Sequence, residues 1–446
     1  MSETTYHIPP PPPAPPPSKQ LGKLMSLAMV VGTVIGSGIY VLPATTAAFG
    51  PNVVTAFALT IVGTMTLALA MASLARRLPG GPYAYIAAAF GDLVAFATMW
   101  SYLISVWAAL AAVCIAAGGA LGHLVAGIGS GPGLAGFAIG ALIVLALVNA
   151  TGARSAGALQ IAATMIKIVP LLLVVVLVLV RVGSGQAVEP LAPVPLSFVG
   201  LVGAAALMLF AFTGFETAAL SANVTEDSTH TVPGATIRGT IVVAVLYLTA
   251  TLSVLWLLPS SVASESGAPF ADAIAPVLGS LAGALVTVIA AVSALGTGNA
   301  QVLVAVEMMR AIANAGDLPP MFARTNAAGV ATVSLWTSVA VGIILILFSI
   351  SDNFIEVFSF IALISAVAAL ALYLVCAAAA LKLKAERSWL AIIAIAYSVA
   401  MFVGAGLEAA LWGLALMLAG LPIRWLSRRY WPTIPAAVAA PAAPRE

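Results

Sequence analysis

Two ionisable side chains lie inside long apolar runs of the sequence, and their types suggest the binding of a charged solute. Lys167 follows the residues QIAATMI, and Glu216 follows the residues FAFTGF. An ionisable group inside a membrane is costly, and it normally faces a protein interior or a water-filled pathway. Neither residue has the neighbouring His or Cys that nucleophilic catalysis would need. The pattern predicts that the protein is not an enzyme and uses no metal and no cofactor.

Both residues also have a purely structural explanation. Lys167 could extend its ammonium group to the cytoplasmic interface, because it lies in the first half of its predicted helix. Glu216 could cap the helical segment that follows it. Polar residues at helical spacing form two stripes that could face each other and solvate the lysine. The stripes are Gln160, Thr164 and Lys167, and Ser293, Thr297 and Gln301.

Glycine residues indicate a second feature of the site. Gly36-Ser37-Gly38 lies in the middle of the first predicted span, and Thr213-Gly214 lies in the middle of the sixth. Each alone could simply allow close helix packing. Two interrupted spans at corresponding positions instead indicate the binding site of a transporter built from inverted repeats. The N–H groups of a half-helix can bind a carboxylate and unwound carbonyl groups can accept from an ammonium group, so the pair suits an amino acid.

The composition supplies the membrane helices that must hold these residues. Hydrophobic residues make up 62% of the chain and charged residues 7%, which excludes a soluble domain and argues against nucleic acid as a partner. Apolar runs of about 20 residues match the thickness of a bilayer. Twelve spans are predicted: Leu24–Ala48, Val53–Ala75, Tyr83–Leu121, Leu134–Ala150, Ala158–Val180, Phe198–Val224, Ile237–Leu258, Ser280–Ala313, Ala331–Ile350, Phe354–Leu381, Trp389–Gly406 and Glu408–Trp425.

The basic residues predict the orientation of these spans. With a cytoplasmic N-terminus, all but two of the 17 Lys and Arg residues fall on the cytoplasmic side; the exceptions are Lys167 and Arg181. This asymmetry follows the positive-inside rule, and both termini are therefore predicted to be cytoplasmic. Residues 1–22, which are rich in proline, and residues 428–446 are predicted to be disordered tails of a transporter domain at 23–427. The run Phe270–Leu278 predicts a helix on an extracytoplasmic loop.

Several motifs occur in an order typical of one family. They are Gly36–Pro43, Gly80–Tyr85, Gly214–Glu216, Gly267–Phe270 and Ala313–Phe322. With them, the chain resembles amino acid transporters of the amino acid/polyamine/organocation superfamily from about Leu24 to Trp425. The resemblance implies an all-α membrane protein with the leucine-transporter-like fold: twelve transmembrane helices, a five-plus-five inverted repeat, broken helices 1 and 6, and alternating access. It also implies the inner (plasma) membrane of a bacterium.

The resemblance further assigns substrate-binding roles by position. Ser37 and Gly38, next to Gly36, would bind the substrate carboxylate, while carbonyl groups near Val34, Phe210 and Thr213 would accept from its ammonium group. Phe210 falls where the arginine/agmatine antiporters place an aromatic lid, and Glu216 matches their acidic gate. Thr33 replaces an Asn of those antiporters, and Gln301 replaces their second aromatic residue. Without that aromatic wall, a stacked guanidinium group is not expected.

Lys167 also matches a position with a known role in the family. Sodium-independent members, including the L-type amino acid transporters, carry a lysine at this point of the fifth span, where sodium-coupled relatives hold an ion. The resemblance therefore implies that Lys167 replaces sodium, with Thr297 and Gln301 beside it, and that it could couple transport to protons.

The expected function is secondary active transport of a neutral amino acid by proton-coupled symport or exchange. Three alternatives remain: antiport of cationic amino acids or polyamines, an amino acid sensor with transporter architecture, and a membrane-embedded enzyme. The expected partners are the amino acid substrate, the lipid bilayer and, as a candidate coupling ion, the proton. The oligomeric state is not predictable, because surfaces that face lipid and surfaces that face another subunit are both apolar.

Overall fold

The described part of the chain is built from helices alone. A computed structural model describes residues 22–78, 81–151, 156–216, 227–348, 350–351, 353–385 and 389–431. Both predicted tails lie almost wholly outside these ranges. The last helix ends at Tyr430, three residues beyond the predicted end of the transporter domain.

The helices follow one another in this order: α1 Lys23–Val34, α2 Gly38–Ala47, α3 Asn52–Arg77, α4 Gly81–Phe90, α5 Asp92–Leu121, α6 Gly131–Ala150, α7 Ala156–Gly183, α8 Phe198–Phe212, α9 Ser228–Leu257, α10 Ser260–Glu265, α11 Pro269–Leu278, α12 Ser280–Asn314, α13 Thr332–Phe348, α14 Phe354–Lys382, α15 Trp389–Gly404 and α16 Gly406–Tyr430. A short 3₁₀ turn, Pro320–Phe322, precedes α13. The helix predicted from Phe270 to Leu278 is confirmed as α11.

Within the described ranges, nine helical segments are long and apolar enough to cross a bilayer, with α1 and α2 taken as one. Phe198–Phe212, Thr332–Phe348 and Trp389–Gly404 are shorter apolar helices at positions where spans are predicted. Large apolar side chains such as Leu281, Phe348 and Leu407 point outward, which a lipid environment favours. Helix α5 lies at the centre, because its most apolar stretch is completely buried and it packs against α12 and α14.

The third predicted span differs from the structure. Tyr83–Leu121 was predicted as one helix, but the chain forms α4 and α5 with a break at Gly91. Gly91 has φ +86°, a backbone conformation that L-residues other than glycine rarely adopt, and its N–H closes α4 by donating to the Ala87 carbonyl. Asp92 follows in the first turn of α5, so a glycine and an acidic residue mark the break in the sequence.

A buried ion cluster ties the last helix to the rest of the bundle. Asp317, which follows α12, is 1% exposed, and its Oδ1 accepts from Nε of Arg424 and from Nε of Arg428, each at 2.8 Å. Arg424 also lies over the ring of Phe96, 5.1 Å from its centre. The carboxylate compensates the buried Arg424 guanidinium group, while Arg428 is half-exposed and can also be solvated by water.

Candidate substrate site

The first span is interrupted where the sequence predicts. Helix α1 ends at Val34 and α2 begins at Gly38, so residues 35–37 form an irregular segment between two half-helices. Gly38 lies directly against α8, because a Cβ atom at this position would stand 2.8 Å from Cα of Ala211. The absence of a side chain at Gly38 therefore lets the first broken span touch the sixth.

The sixth span also stops being helical in its middle. Helix α8 ends at Phe212, and Thr213 and Gly214 leave the helical conformation, with φ +115° at Gly214. A Cβ atom on Gly214 would lie 3.2 Å from Cγ2 of Val34, so this turn meets the end of α1. Residues 217–226 lie outside the described ranges, and so does the second half of the predicted span. The prediction that Glu216 caps a following segment concerns residues outside the described ranges.

Lys167 is buried beside the first break and does not reach the interface. Its side chain is 3% exposed, and its Nζ donates to the Ile35 carbonyl at 3.2 Å and to Thr297 Oγ1 at 3.4 Å. The Tyr40 hydroxyl donates to the Lys167 carbonyl at 2.6 Å. The snorkelling alternative is therefore wrong for this structure. The ammonium group holds the irregular segment to α7 and α12.

Of the two predicted polar stripes, one makes the expected contact in part. Thr297 reaches Lys167, and Ser293 Oγ donates to the Gly36 carbonyl at 3.4 Å. Gln301 lies one turn further along α12 and is partly exposed; among the described residues, Lys167 donates no hydrogen bond to it. The side chains of Gln160 and Thr164 are outside the described part of the structure.

The carbonyl groups predicted to bind an ammonium group already accept hydrogen bonds. The Val34 carbonyl accepts from the Tyr247 hydroxyl at 2.6 Å and from the Gly36 N–H at 2.8 Å. The Phe210 carbonyl accepts from the Thr213 hydroxyl at 2.7 Å and from its N–H at 3.2 Å. Because a carbonyl oxygen has two lone pairs, both acceptor positions are already filled at Val34 and at Phe210.

On the opposite side of the break, a buried hydroxyl group lacks a hydrogen-bond partner among the described residues. The Ser37 side chain is 2% exposed, and its hydroxyl has no hydrogen-bond partner among the described residues. It stands at the start of α2, where the first N–H groups of a helix have no partner within the helix. Such a helix start favours an anion. A cavity of about 10 Å³, enough for one water molecule, adjoins Ser37 and is lined by Tyr40, Phe270 and several alanines.

Glu216 is buried, and its carboxylate has specific partners. It is 1% exposed, and its Oε1 accepts from the Tyr102 hydroxyl at 2.6 Å. Both carboxylate oxygens accept from the Gly214 N–H, at 3.0 and 3.2 Å. The ring of Tyr373 packs against that of Phe215 with centres 5.0 Å apart. Sequence reasoning missed Tyr102 and Tyr373, although a phenol group in an apolar span was a usable signal.

The remaining predicted residues surround these groups. Phe210 is buried and packs edge-to-face with Phe358 of α14, with ring centres 5.6 Å apart. An aromatic neighbour for Phe210 therefore exists, although it comes from α14 and not from the position of Gln301. Thr33 is half-buried in the last turn of α1, where its backbone faces Gly214.

Comparison with known proteins identifies the family. Residues 21–417 match the model of a family described as amino acid permease. The chain belongs to this family. This permease is 30% identical over 326 residues to the cadaverine/lysine antiporter of Escherichia coli strain K12, covering 70% of this chain and 71% of the relative. It is 29% identical over 336 residues to the arginine/ornithine antiporter of Pseudomonas aeruginosa, covering 72% and 69%. It is 27% identical over 340 residues to the putrescine transporter PotE of E. coli strain K12, covering 75% and 77%.

These matches confirm the predicted superfamily, and they make the permease a multi-pass membrane protein of a transporter family. They favour the alternative of a cationic amino acid or polyamine substrate over the first expectation of a neutral amino acid. The names of all three relatives contain cationic amino acids or diamines, whereas the sequence pattern placed a neutral amino acid first.

Proposed function

We propose that this permease is an alternating-access antiporter that exchanges a cationic amino acid for another cationic amino acid or for an amine. The proposal includes twelve spans, a five-plus-five inverted repeat and an inner-membrane location with both termini cytoplasmic. The three relatives support exchange of such substrates, since each is named for an amine or a cationic amino acid and two are named as antiporters.

The observation that carries the proposal is the contact between the two broken helices. On one side stand the unpartnered Ser37 hydroxyl and the start of α2, which suit a carboxylate. On the other side stand the end of α1 and the Gly214 turn, where the Val34 and Phe210 carbonyl groups would exchange internal donors for an ammonium group. A site with an anion-binding half and a cation-binding half matches the backbone of an α-amino acid.

In this proposal, Phe210 is the lid and Glu216 is the gate. Glu216 is fastened to α5 through Tyr102 and to its own turn through Gly214, so movement of the sixth span would break or rebuild these bonds. Lys167 takes the place of a sodium ion, because its ammonium group links the irregular segment to α12 as a bound cation would.

A specific observation keeps a neutral substrate as the second candidate. The Lys167 ammonium group is buried 3.2 Å from the carbonyl of Ile35, which belongs to the irregular segment. A positively charged substrate side chain would add a second cation to a low-dielectric site and would be repelled there. Alanines that line the cavity beside Ser37, such as Ala290 and Ala294, also suit an apolar side chain.

Exchange in proteoliposomes tests the proposal. We expect labelled lysine, arginine or ornithine to enter vesicles preloaded with the same compounds, with cadaverine or with putrescine, and not to enter empty vesicles. Uptake of neutral amino acids into empty vesicles under an inward proton gradient, without cationic exchange, would establish the symport reading instead. Binding without flux would indicate a sensor.

Two variants connect the flux to the site. Ser37→Ala should weaken amino acid binding by about 10-fold or more, because a hydrogen bond to a charged group is lost, while binding of a diamine, which has no carboxylate, stays unchanged. Lys167→Met should abolish transport without loss of folded protein. Ser184→Ala, on an exposed loop, is the matched control. Equal losses for amino acids and diamines in Ser37→Ala would contradict the assigned role.

A further inference from the structure

A polar contact closes the bundle at the end that carries residues 122–130 and 258–279, which we name the outer end because the predicted orientation places it outside. His123, just beyond α5, lies with Nε2 3.0 Å from Oδ1 of Asp272 and 3.2 Å from its Oδ2. Asp272 is in the first turn of α11, and the Ser266 hydroxyl donates to its second oxygen. Through this contact, α11 is held to the end of the central helix.

The same short helix covers the cavity beside Ser37. Gly267, two residues before α11, is pressed onto α5, since a Cβ atom there would lie 2.7 Å from the Gly119 carbonyl oxygen. Phe270 is 1% exposed and packs edge-to-face on Tyr40 of α2 with ring centres 5.3 Å apart. Both residues line the cavity. Any solute that reached Ser37 from the outer end would have to move α11 aside.

We propose that His123 and Asp272 form a latch, strengthened by protons on the outer side, that holds α11 over the site and must open for substrate to pass. The proposal rests on the proposed transport function. It goes beyond that function because it names the contact that closes one end and the condition that controls it.

The electrostatics of the pair set the sign of the pH effect. The hydrogen bond to Asp272 raises the pKa of His123 above its ordinary value, although burial of the ring opposes this. Burial acts to raise the pKa of Asp272, but the hydrogen bonds from His123 and Ser266 outweigh it and leave that pKa below its usual range. The closed state therefore binds the histidine proton more tightly than the open state, in which His123 is expected to titrate near its ordinary value of about 6.5. Acid on the outer side stabilises the closed latch, and this stabilisation is lost as the pH rises through the raised pKa.

Other charged groups near the latch are engaged elsewhere or lie far away. Helix α11 packs against α2, α7, α9 and α12. Their charged residues are Lys167, Arg181, Arg238, Glu307 and Arg310. Lys167 donates to Ile35, Arg181 pairs with Glu189, and Glu307 pairs with Arg310. Arg238 lies in the half of α9 that is further from the latch, and Asp92 is the first residue of α5, at the opposite end from His123. Glu265, next to Ser266, is exposed and forms no ion pair with His123 within the described residues. Tyr40 faces α11 through the ring of Phe270.

Accessibility of the covered cavity tests the latch without requiring transport. A cysteine at Ala290, which lines the cavity, would be labelled on intact cells by a membrane-impermeant thiol reagent, while native Cys114 and Cys376 are buried. We compare how much the Ala290→Cys labelling rate rises between outer pH 5.5 and 7.5 with His123 present and in a His123→Gln background. We expect the rise to be about two- to five-fold larger with His123 present. The effect is small because a partly exposed ion pair contributes only modestly to the stability of the closed state. Asp272→Asn should likewise remove the difference.

A second histidine–aspartate pair provides the matched control. His230 Nδ1 lies 3.0 Å from Asp227 Oδ1 at the opposite end of the bundle, and both side chains are exposed. His230→Gln should leave the pH response of Ala290→Cys unchanged. If Ala290→Cys labelling responds to pH identically with His123 and in the His123→Gln variant, and both proteins are folded, the latch proposal is wrong. Absence of lysine exchange would instead overturn the proposed function and leave the labelling result standing.

Discussion

Gly38→Ala is the substitution with the sharpest expected consequence, because it places one methyl group between the two broken spans. The new Cβ atom would lie 2.8 Å from Cα and 2.9 Å from Cβ of Ala211, about 0.6 Å short of the 3.4 Å at which ordinary contact begins. The obstacle is the backbone of α8, which cannot rotate away as a flexible side chain would. Forced overpacking of this kind costs about 1–3 kcal/mol.

Gly38→Ala would destabilise the conformation in which α2 touches α8 by this free energy. If the contact persists throughout the cycle, the variant unfolds at a lower temperature. If the contact opens during the cycle, the same 1–3 kcal/mol shifts the conformational equilibrium by about 5- to 150-fold away from the closed contact and slows exchange. Thiol-reactive dye can follow unfolding, because Cys114 and Cys376 are both fully buried. Labelled lysine exchange gives the second measurement.

The control is Gly136→Ala on α6, where an added Cβ atom would meet no heavy atom within 4 Å. Alanine is favoured over glycine inside a helix by about 1 kcal/mol, so this variant should be as stable as the wild type or slightly more stable. A Gly38→Ala protein with wild-type melting and exchange would refute the close contact between the broken spans, and so would equal damage from both substitutions.

Two further substitutions probe buried polar contacts. Tyr102→Phe should lower the melting temperature and impair exchange, because Glu216 loses a 2.6 Å hydrogen bond that costs about 1–3 kcal/mol when left unmade. Tyr85→Phe should be neutral, since the buried Tyr85 hydroxyl has no partner among the described residues. Asp317→Ala should destabilise the fold by about 3–5 kcal/mol, because it leaves two guanidinium groups without their carboxylate, whereas Arg428→Gln should cost less because Arg428 is half-exposed. Dye-monitored melting measures both, and a harmless Asp317→Ala or a harmful Tyr85→Phe would contradict the respective reasoning.

Local sequence features predicted the parts of the site that depend on backbone chemistry. Gly36-Ser37-Gly38 predicted the break in the first span, because the low helix propensity of glycine and serine does not depend on which helices the segment contacts. Helical spacing placed Thr297 on a polar stripe that could face Lys167, and the two side chains are in contact in the structure. The fold class followed from composition, which leaves few alternatives to helices in a bilayer.

Contacts across the bundle were not predictable in the same way. In a soluble helix, polar residues mark the outer face, but a lipid-facing surface is as apolar as the core, so the pattern does not show which residues meet. Tyr247 on Val34 and Phe358 on Phe210 therefore went unnoticed. The break at Gly91 was missed for a different reason: Gly91 and Asp92 are local signals of a helix end and a helix start, but the apolar residues on both sides were read as one span.

The two halves of the site differ in how many of their hydrogen-bonding groups already have internal partners, and this difference affects which substrate binds more tightly. The Phe210 and Val34 carbonyl groups already have internal donors, so an arriving amino group would displace or share existing bonds and gain little. The Ser37 hydroxyl has no such substitute, so a carboxylate would gain a bond that nothing else in the described protein provides. In the proposed exchange, an intact amino acid would therefore be bound tightly and its decarboxylated amine weakly. Such an imbalance suits a carrier that must capture one compound at low concentration and discharge the other.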